Sequence, residues 1–184
     1  MTWRERPWFG ILAALLTGGL FLCSRDVGPA GPLVLVAPIA ILVFAVSSRR
    51  AWPAGIAAFA AGAIGASGLI YAYGAIFPPM VLVTWILGQG LWYLAIVLLT
   101  RWLARRVSIW LAILAYPLFA TASEFAFSLA SPHGSFGAIG YGLVDLLPLL
   151  QAASIGGVAI LSFIAALVPM ALAMLIVSPA DWRK

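Results

Sequence analysis

Between Ser123 and Gly142 the chain reads SEFAFSLASPHGSFGAIGYG, and this stretch gathers chemistry-bearing groups in an otherwise apolar protein. Glu124 is a carboxylate set among apolar residues. His133 is the chain's one histidine. Gly134, Gly137, Gly140 and Gly142 lead up to and flank Tyr141. A carboxylate and an imidazole together could move a proton, because imidazole titrates near neutral pH. Their separation in sequence does not by itself bring them into contact, and a solvated loop histidine fits His133 equally. A catalytic zinc takes three protein ligands, so one histidine with no nearby cysteine argues against a metal. The glycines follow an apolar helix rather than a strand, and no acidic ribose-binding residue follows them. They are therefore no dinucleotide fingerprint. Tight turns and close backbone packing are the simpler use. No Ser-His-Asp order and no paired catalytic carboxylates stand out. Neither a cofactor nor a metal is expected.

A carboxylate near hydrocarbon is costly unless it is paired, protonated or hydrated. Glu124 therefore either lines a polar cavity or bonds a neighbouring backbone group at the interface. Gln151 is positioned to hydrogen-bond across helices. Tyr141 suits an interfacial aromatic belt.

The elements that position these groups follow from composition. The chain has 184 residues, of which 65% are hydrophobic and 8% charged. A soluble domain carries about a quarter charged residues, so the polar surface here is too small to cover a soluble globule. The expected fold is all-α, one polytopic membrane helix bundle of about six spans. Hydropathy places these spans at about 7–23, 29–46, 51–77, 79–100, 107–130 and 149–177. Pro29, Pro32 and Pro38 disturb the second, where a re-entrant or tilted element is an alternative.

Charge orients the bundle. Arg4 and Arg6 precede the first span, and Arg49 and Arg50 follow the second. Arg101, Arg105 and Arg106 follow the fourth, and Arg183 and Lys184 follow the sixth. Only Arg25 falls on the opposite face. By the positive-inside rule both termini are cytoplasmic, and the Glu124–Gly142 corner faces outward with Asp26 and Asp145. The net charge of +5 is explained by this anchoring and does not call for nucleic acid. Arg4 and Arg6 ahead of an apolar run also resemble a signal peptide. Cleavage there would spoil the alternating charge pattern, and the large Leu22 before Cys23 fits a lipoprotein cleavage site poorly.

Ala54, Ala58, Gly62 and Ala66 form a stripe of small residues on the third span. Such stripes let helices approach closely in a bilayer. Internal packing and dimerisation are both open uses. No internal repeat of the kind found in transporters is visible.

The stretches AYPLFATASEFAF, GAIGYG and PLLQAASIGGVAILSFIAALV resemble the membrane part of bacterial apolipoprotein N-acyltransferases. Glu124, Gly140, Tyr141, Gln151, Gly156, Ser162 and Phe163 fit that pattern, and DVGPAGPLVLVAPIAIL resembles the family's second helix with its preceding loop. Ser135 and Phe136 stand where the family often has Pro-Trp. The resemblance implies a multi-pass protein of the bacterial cytoplasmic (inner) membrane, active in lipoprotein biosynthesis. Its expected partners are phospholipid and lipoprotein at the outer face, with Glu124, His133, Gly140, Tyr141 and Gln151 as the binding residues. In that family a nitrilase-like domain carries a Glu-Lys-Cys triad that transfers the acyl chain. Here the one lysine is Lys184, and Cys23 lies in the wrong element, so the 184 residues are expected to handle lipid without acyl transfer of their own. A partner carrying a nitrilase-like domain, or a larger membrane complex that this chain serves as a structural subunit, would complete either reading.

Overall fold

The computed structural model describes residues 6–24 and 30–177. Arg4, Arg25, Asp26, Arg183 and Lys184, used above to orient the chain, lie outside the described residues. Those described form an all-helical bundle. Helix α1 (Pro7–Ser24) is followed by a first 3-10 turn (Gly31–Leu35) and a short α2 (Ile39–Ser47). Then come α3 (Ala51–Ala66), α4 (Gly68–Tyr73) and the long α5 (Pro79–Ala104). A single turn, α6 (Ile109–Ala112), leads into α7 (Ala115–Ala130). A second 3-10 turn (Ile139–Leu143), one turn of helix α8 (Leu147–Leu150) and α9 (Ala153–Val177) complete the order.

Among the described residues five stretches are long and apolar enough to cross a bilayer: Pro7–Ser24, Ala51–Tyr73, Pro79–Ala104, Ile109–Ala130 and Ala153–Val177. The sixth apolar stretch, Gly31–Ser47, is shorter. Its prolines explain the break. Pro32 opens the 3-10 turn, and Pro38 stands at the N-cap of α2, where a missing N–H costs nothing. Proline also divides the fifth span. Pro117 cannot bond the carbonyl four residues back, and the helix is interrupted just before Ala115. The last span changes direction at Gly156 and Gly157, whose backbones leave the helical region. Gly157 has φ of +61°, a conformation that side-chain-bearing residues rarely adopt.

The small-residue stripe is used inside the molecule. Ala54, Ala58 and Ala66 are fully buried. A Cβ on Gly62 would come within 2.8 Å of the Tyr93 Cβ and 2.9 Å of the Gln89 carbonyl oxygen. Gly90 faces Phe59 in the same way. Glycine on both helices therefore lets the α3 and α5 backbones cross in near contact. Gly18 on α1 sits equally close to Ile64 and the Ala61 carbonyl. The central core is built from α2, with Ile41, Leu42 and Phe44 almost wholly buried, and from Val97, Tyr116 and Met170.

The bundle has a basic end. The last carbonyls of any helix lack intrahelical donors, and at the end of α2 Arg101 of α5 and Arg105 just beyond it supply them. Arg101, itself buried, donates to the Ala45 carbonyl and, at 3.2 Å, to that of Arg49. Arg105 donates to the carbonyls of Val46 at 3.2 Å and Ser48 at 2.8 Å. Cations at a helix C-terminus also meet the negative end of its dipole. Arg49, Arg50, Arg101 and Arg105 are thus collected at one end, and the loop containing Gly140 and Tyr141 joins the ends of α7 and α9 remote from them.

Candidate functional site

The polar corner is assembled from two consecutive N–H groups. In the second 3-10 turn the first internal bond runs from the Tyr141 N–H to the Ala138 carbonyl, at 3.2 Å. The N–H groups of Ile139 and Gly140 come before it and have no partner within the turn. Two different helices supply acceptors. Glu124 on α7 accepts from the Ile139 N–H through Oε1 at 3.0 Å. Ser162 on α9 accepts from the Gly140 N–H through Oγ at 3.2 Å. The turn is therefore clamped to α7 and α9, its two orphan donors satisfied by one side chain from each helix.

Glycine makes the clamp possible. A Cβ on Gly140 would lie 2.8 Å from the Ser162 nitrogen and 2.9 Å from both the Val158 carbonyl oxygen and the Leu161 Cβ. Only a residue without a side chain lets this backbone rest on the α9 backbone. Gly142 is packed as tightly against the first 3-10 turn. Its added Cβ would meet the Gly31 oxygen at 2.7 Å, and one on Gly31 would meet the Gly142 oxygen at 2.6 Å. Two short turns, far apart in sequence, thus touch backbone to backbone.

Glu124 keeps one unused oxygen. Oε2 is buried and closes no hydrogen bond, although the Ser162 hydroxyl lies beside the carboxylate. Tyr141 extends the clamp toward the surface, since its hydroxyl lies 2.8 Å from the Ser135 hydroxyl. That pair ties the turn to the loop between Ser131 and Ala138. Phe136 in the same loop packs near Trp85 of α5, with ring centroids 6.5 Å apart. Trp92 and Phe127 make a second such contact at 6.0 Å. The loop that reads as irregular in sequence is thus attached to α5, α7 and α9.

The five residues singled out in the sequence do not all meet. Glu124, Gly140 and Tyr141 converge on the clamped turn. His133 is exposed in the loop, where its backbone N–H donates to the Ser131 hydroxyl at 3.2 Å. Glu124 is bonded to Ile139 and not to His133. Gln151 is exposed at the end of α8, and its carbonyl accepts from the Ser154 hydroxyl at 2.7 Å. Ser162 plays a larger part than its place in the sequence pattern suggests. A serine on an apolar helix carries little signal alone; its position one turn beyond the Gly156–Gly157 break was the available cue. Arg101 and Arg105 likewise read only as orienting charges, with no sign of the carbonyls they bind.

Among the described residues no group of three His, Cys, Asp or Glu side chains is placed to hold a metal ion. Cys23 is exposed at the end of α1. The corner holds backbone N–H groups and presents polar side chains.

No curated protein and no solved structure matches the chain. A family model does: residues 9–171 match the apolipoprotein N-acyltransferase N-terminal domain.

Proposed function

The chain belongs to the apolipoprotein N-acyltransferase N-terminal domain family, and from that premise we propose that it is a lipid-handling membrane module whose outer face receives phospholipid and lipoprotein at the clamped turn. The observation that carries this reading is the grip of Glu124 and Ser162 on Ile139 and Gly140. It holds an irregular, glycine-rich backbone in one shape at the end of the bundle away from the arginines. Irregular backbone at membrane depth is tolerated only where protein or a wet cavity covers it. A fixed surface of this kind suits substrates that arrive from the outer leaflet. Gly140 lets the turn sit deep, and Glu124 and Tyr141 set its polar groups. His133 and Gln151, on the exposed flanks, are the proposed contacts to headgroup and peptide.

In this reading the arginine end is cytoplasmic, both termini lie on that side, and the membrane is the bacterial inner membrane. The 184 residues alone do not transfer an acyl chain. They contain no lysine other than Lys184 and no cysteine other than Cys23, so a nitrilase-like domain would have to supply the nucleophile. The reading as a structural subunit of a larger complex loses its motive, because the small-residue stripe is buried between α3 and its neighbours.

The test is photocrosslinking of a diacylated cysteine peptide to the full chain in phospholipid nanodiscs. Crosslinks within residues 131–151 that Glu124→Ala weakens are expected. Crosslinks spread evenly along the helices would overturn the site. An N-acylated peptide formed by this chain alone would overturn the claim that it does not transfer.

A further inference from the structure

At the basic end, remote from the clamp, α1 and α3 line an apolar cavity of about 560 Å³ together with Phe44 of α2. Its floor is Gly10, Ala14, Ala57 and Phe44, and its outer wall includes Ile11 and Ile56. These last two are more than half exposed, so the cavity opens toward the surface that hydrocarbon would cover. On α3 the lining runs from Trp52 to Ile64, roughly 18 Å at 1.5 Å per residue. That is close to the depth of one leaflet, about 15 Å for half of a 30 Å core. The groove is therefore long enough for one acyl chain lying along α3 and too short to cross the bilayer.

Its mouth is cationic. Arg49 and Arg50 line the same cavity as Ile56 and Ala60. Arg50 is exposed, and the backbone of Arg49 is held because its carbonyl accepts from Arg101. Trp52, also exposed, stands beside them, as an indole does at the headgroup level. Among the described residues no Asp or Glu lines the cavity. An apolar slot one leaflet deep, closed at its polar end by two guanidiniums and an indole, has the polarity of a lipid with a negatively charged head.

We propose that this groove is a binding site for an anionic phospholipid of the leaflet facing the arginine end. One acyl chain lies between α1 and α3, and the headgroup phosphate sits at Arg49 and Arg50. Arginine meets phosphate with a planar pair of donors, and a zwitterionic lipid offers these cations less net charge. The site is separate from the clamped turn. It fills the space that would otherwise be left between α1 and α3 and anchors the loop between α2 and α3 to the headgroup layer. The outer-face function is not among its premises.

The experiment uses the full chain in nanodiscs of phosphatidylethanolamine carrying a trace of phosphatidylglycerol with a photoactivatable acyl chain. Crosslinks are mapped by mass spectrometry. The expected adducts fall on α1 and α3, at residues 10–15 and 56–64. Excess unlabelled phosphatidylglycerol abolishes them and excess phosphatidylethanolamine does not. Each surface cation contributes to anionic-lipid binding on a scale that corresponds to about five-fold in affinity, so Arg50→Gln lowers the yield by about that factor. Ala60→Phe, which fills the slot and leaves the charge, lowers it as well. Equal competition by the two lipids on the unaltered chain overturns the proposal without recourse to any variant. So do adducts confined to other helices, or an Arg50→Gln yield equal to that of the parent in a protein with unchanged thermal unfolding.

Discussion

Replacing Glu124 by Ala removes the acceptor of the Ile139 N–H and leaves that part-buried donor without its partner. Oε1 makes the bond at 3.0 Å, and no other acceptor from α7 is bonded to the turn. A buried donor left unpaired costs about 1–3 kcal/mol. Taking about 2 kcal/mol, local opening of residues 139–143 becomes roughly 30-fold more frequent. Hydrogen exchange of the full chain in detergent or nanodiscs reads this directly, as faster exchange of the Ile139 and Gly140 amides relative to the core of α5. Glu124→Gln keeps an amide carbonyl in reach of the same N–H. It is expected to cost about 1 kcal/mol or less, at most roughly five-fold in exchange. Ser162→Ala strands the neighbouring Gly140 N–H, whose bond is the longer at 3.2 Å, and its effect lies nearer the lower limit. Because the two acceptors grip consecutive groups of one turn, the double variant is non-additive, with a coupling of about 0.5 kcal/mol or more. Glu124→Ala with parental protection across 139–143 refutes the clamp. Glu124→Gln exchanging as fast as Glu124→Ala refutes it too, since the charge and not the acceptor would then be what matters.

Three further outcomes follow from the same geometry. Gly142→Ala drives a Cβ to 2.7 Å from the Gly31 oxygen and should destabilise by about 1–3 kcal/mol; with Gly31→Ala added, thermal unfolding should show less than the sum, as one displacement of the turns accommodates both. Arg101→Met takes the donor from the Ala45 and Arg49 carbonyls and should cost about 2 kcal/mol, against less than half of that for the exposed Arg106→Met, compared by denaturation in detergent. In a Cys23→Ser background, His133→Cys should react with an impermeant maleimide added to intact cells and Arg106→Cys should not; the reverse pattern inverts the proposed topology.

Several of these features were readable before any coordinates. Long apolar runs bounded by arginines announce spanning helices, because the bilayer leaves few alternatives. Glu124, Gly140 and Tyr141 stand out in the sequence as polar or backbone-permissive residues in an apolar chain, and they meet at one turn. What sequence does not display is pairing over distance. Gly31 and Gly142 are each ordinary loop glycines until the two turns are set against one another. Ser162 acquires its role from the end of a turn that lies on a different segment. Arg101 and Arg105 look like interfacial anchors, since nothing local marks the free carbonyls at the end of α2. The attraction of Glu124 to His133 in the sequence was one of proximity along the chain, and the loop carries the imidazole outward instead.

The brevity of the Gly31–Ser47 stretch is absorbed inside the protein. With its five 3-10 residues rising about 2.0 Å each and the rest about 1.5 Å, its 17 residues reach roughly 28 Å, a little short of a hydrocarbon layer about 30 Å deep. One extremity is held by guanidiniums and the other by the glycine contact with the second turn. Within the stretch only Val36 is exposed, so neighbouring helices and not lipid cover it. A broken, undersized segment is thereby tolerated at the centre of the bundle, where no lipid has to adapt to its length.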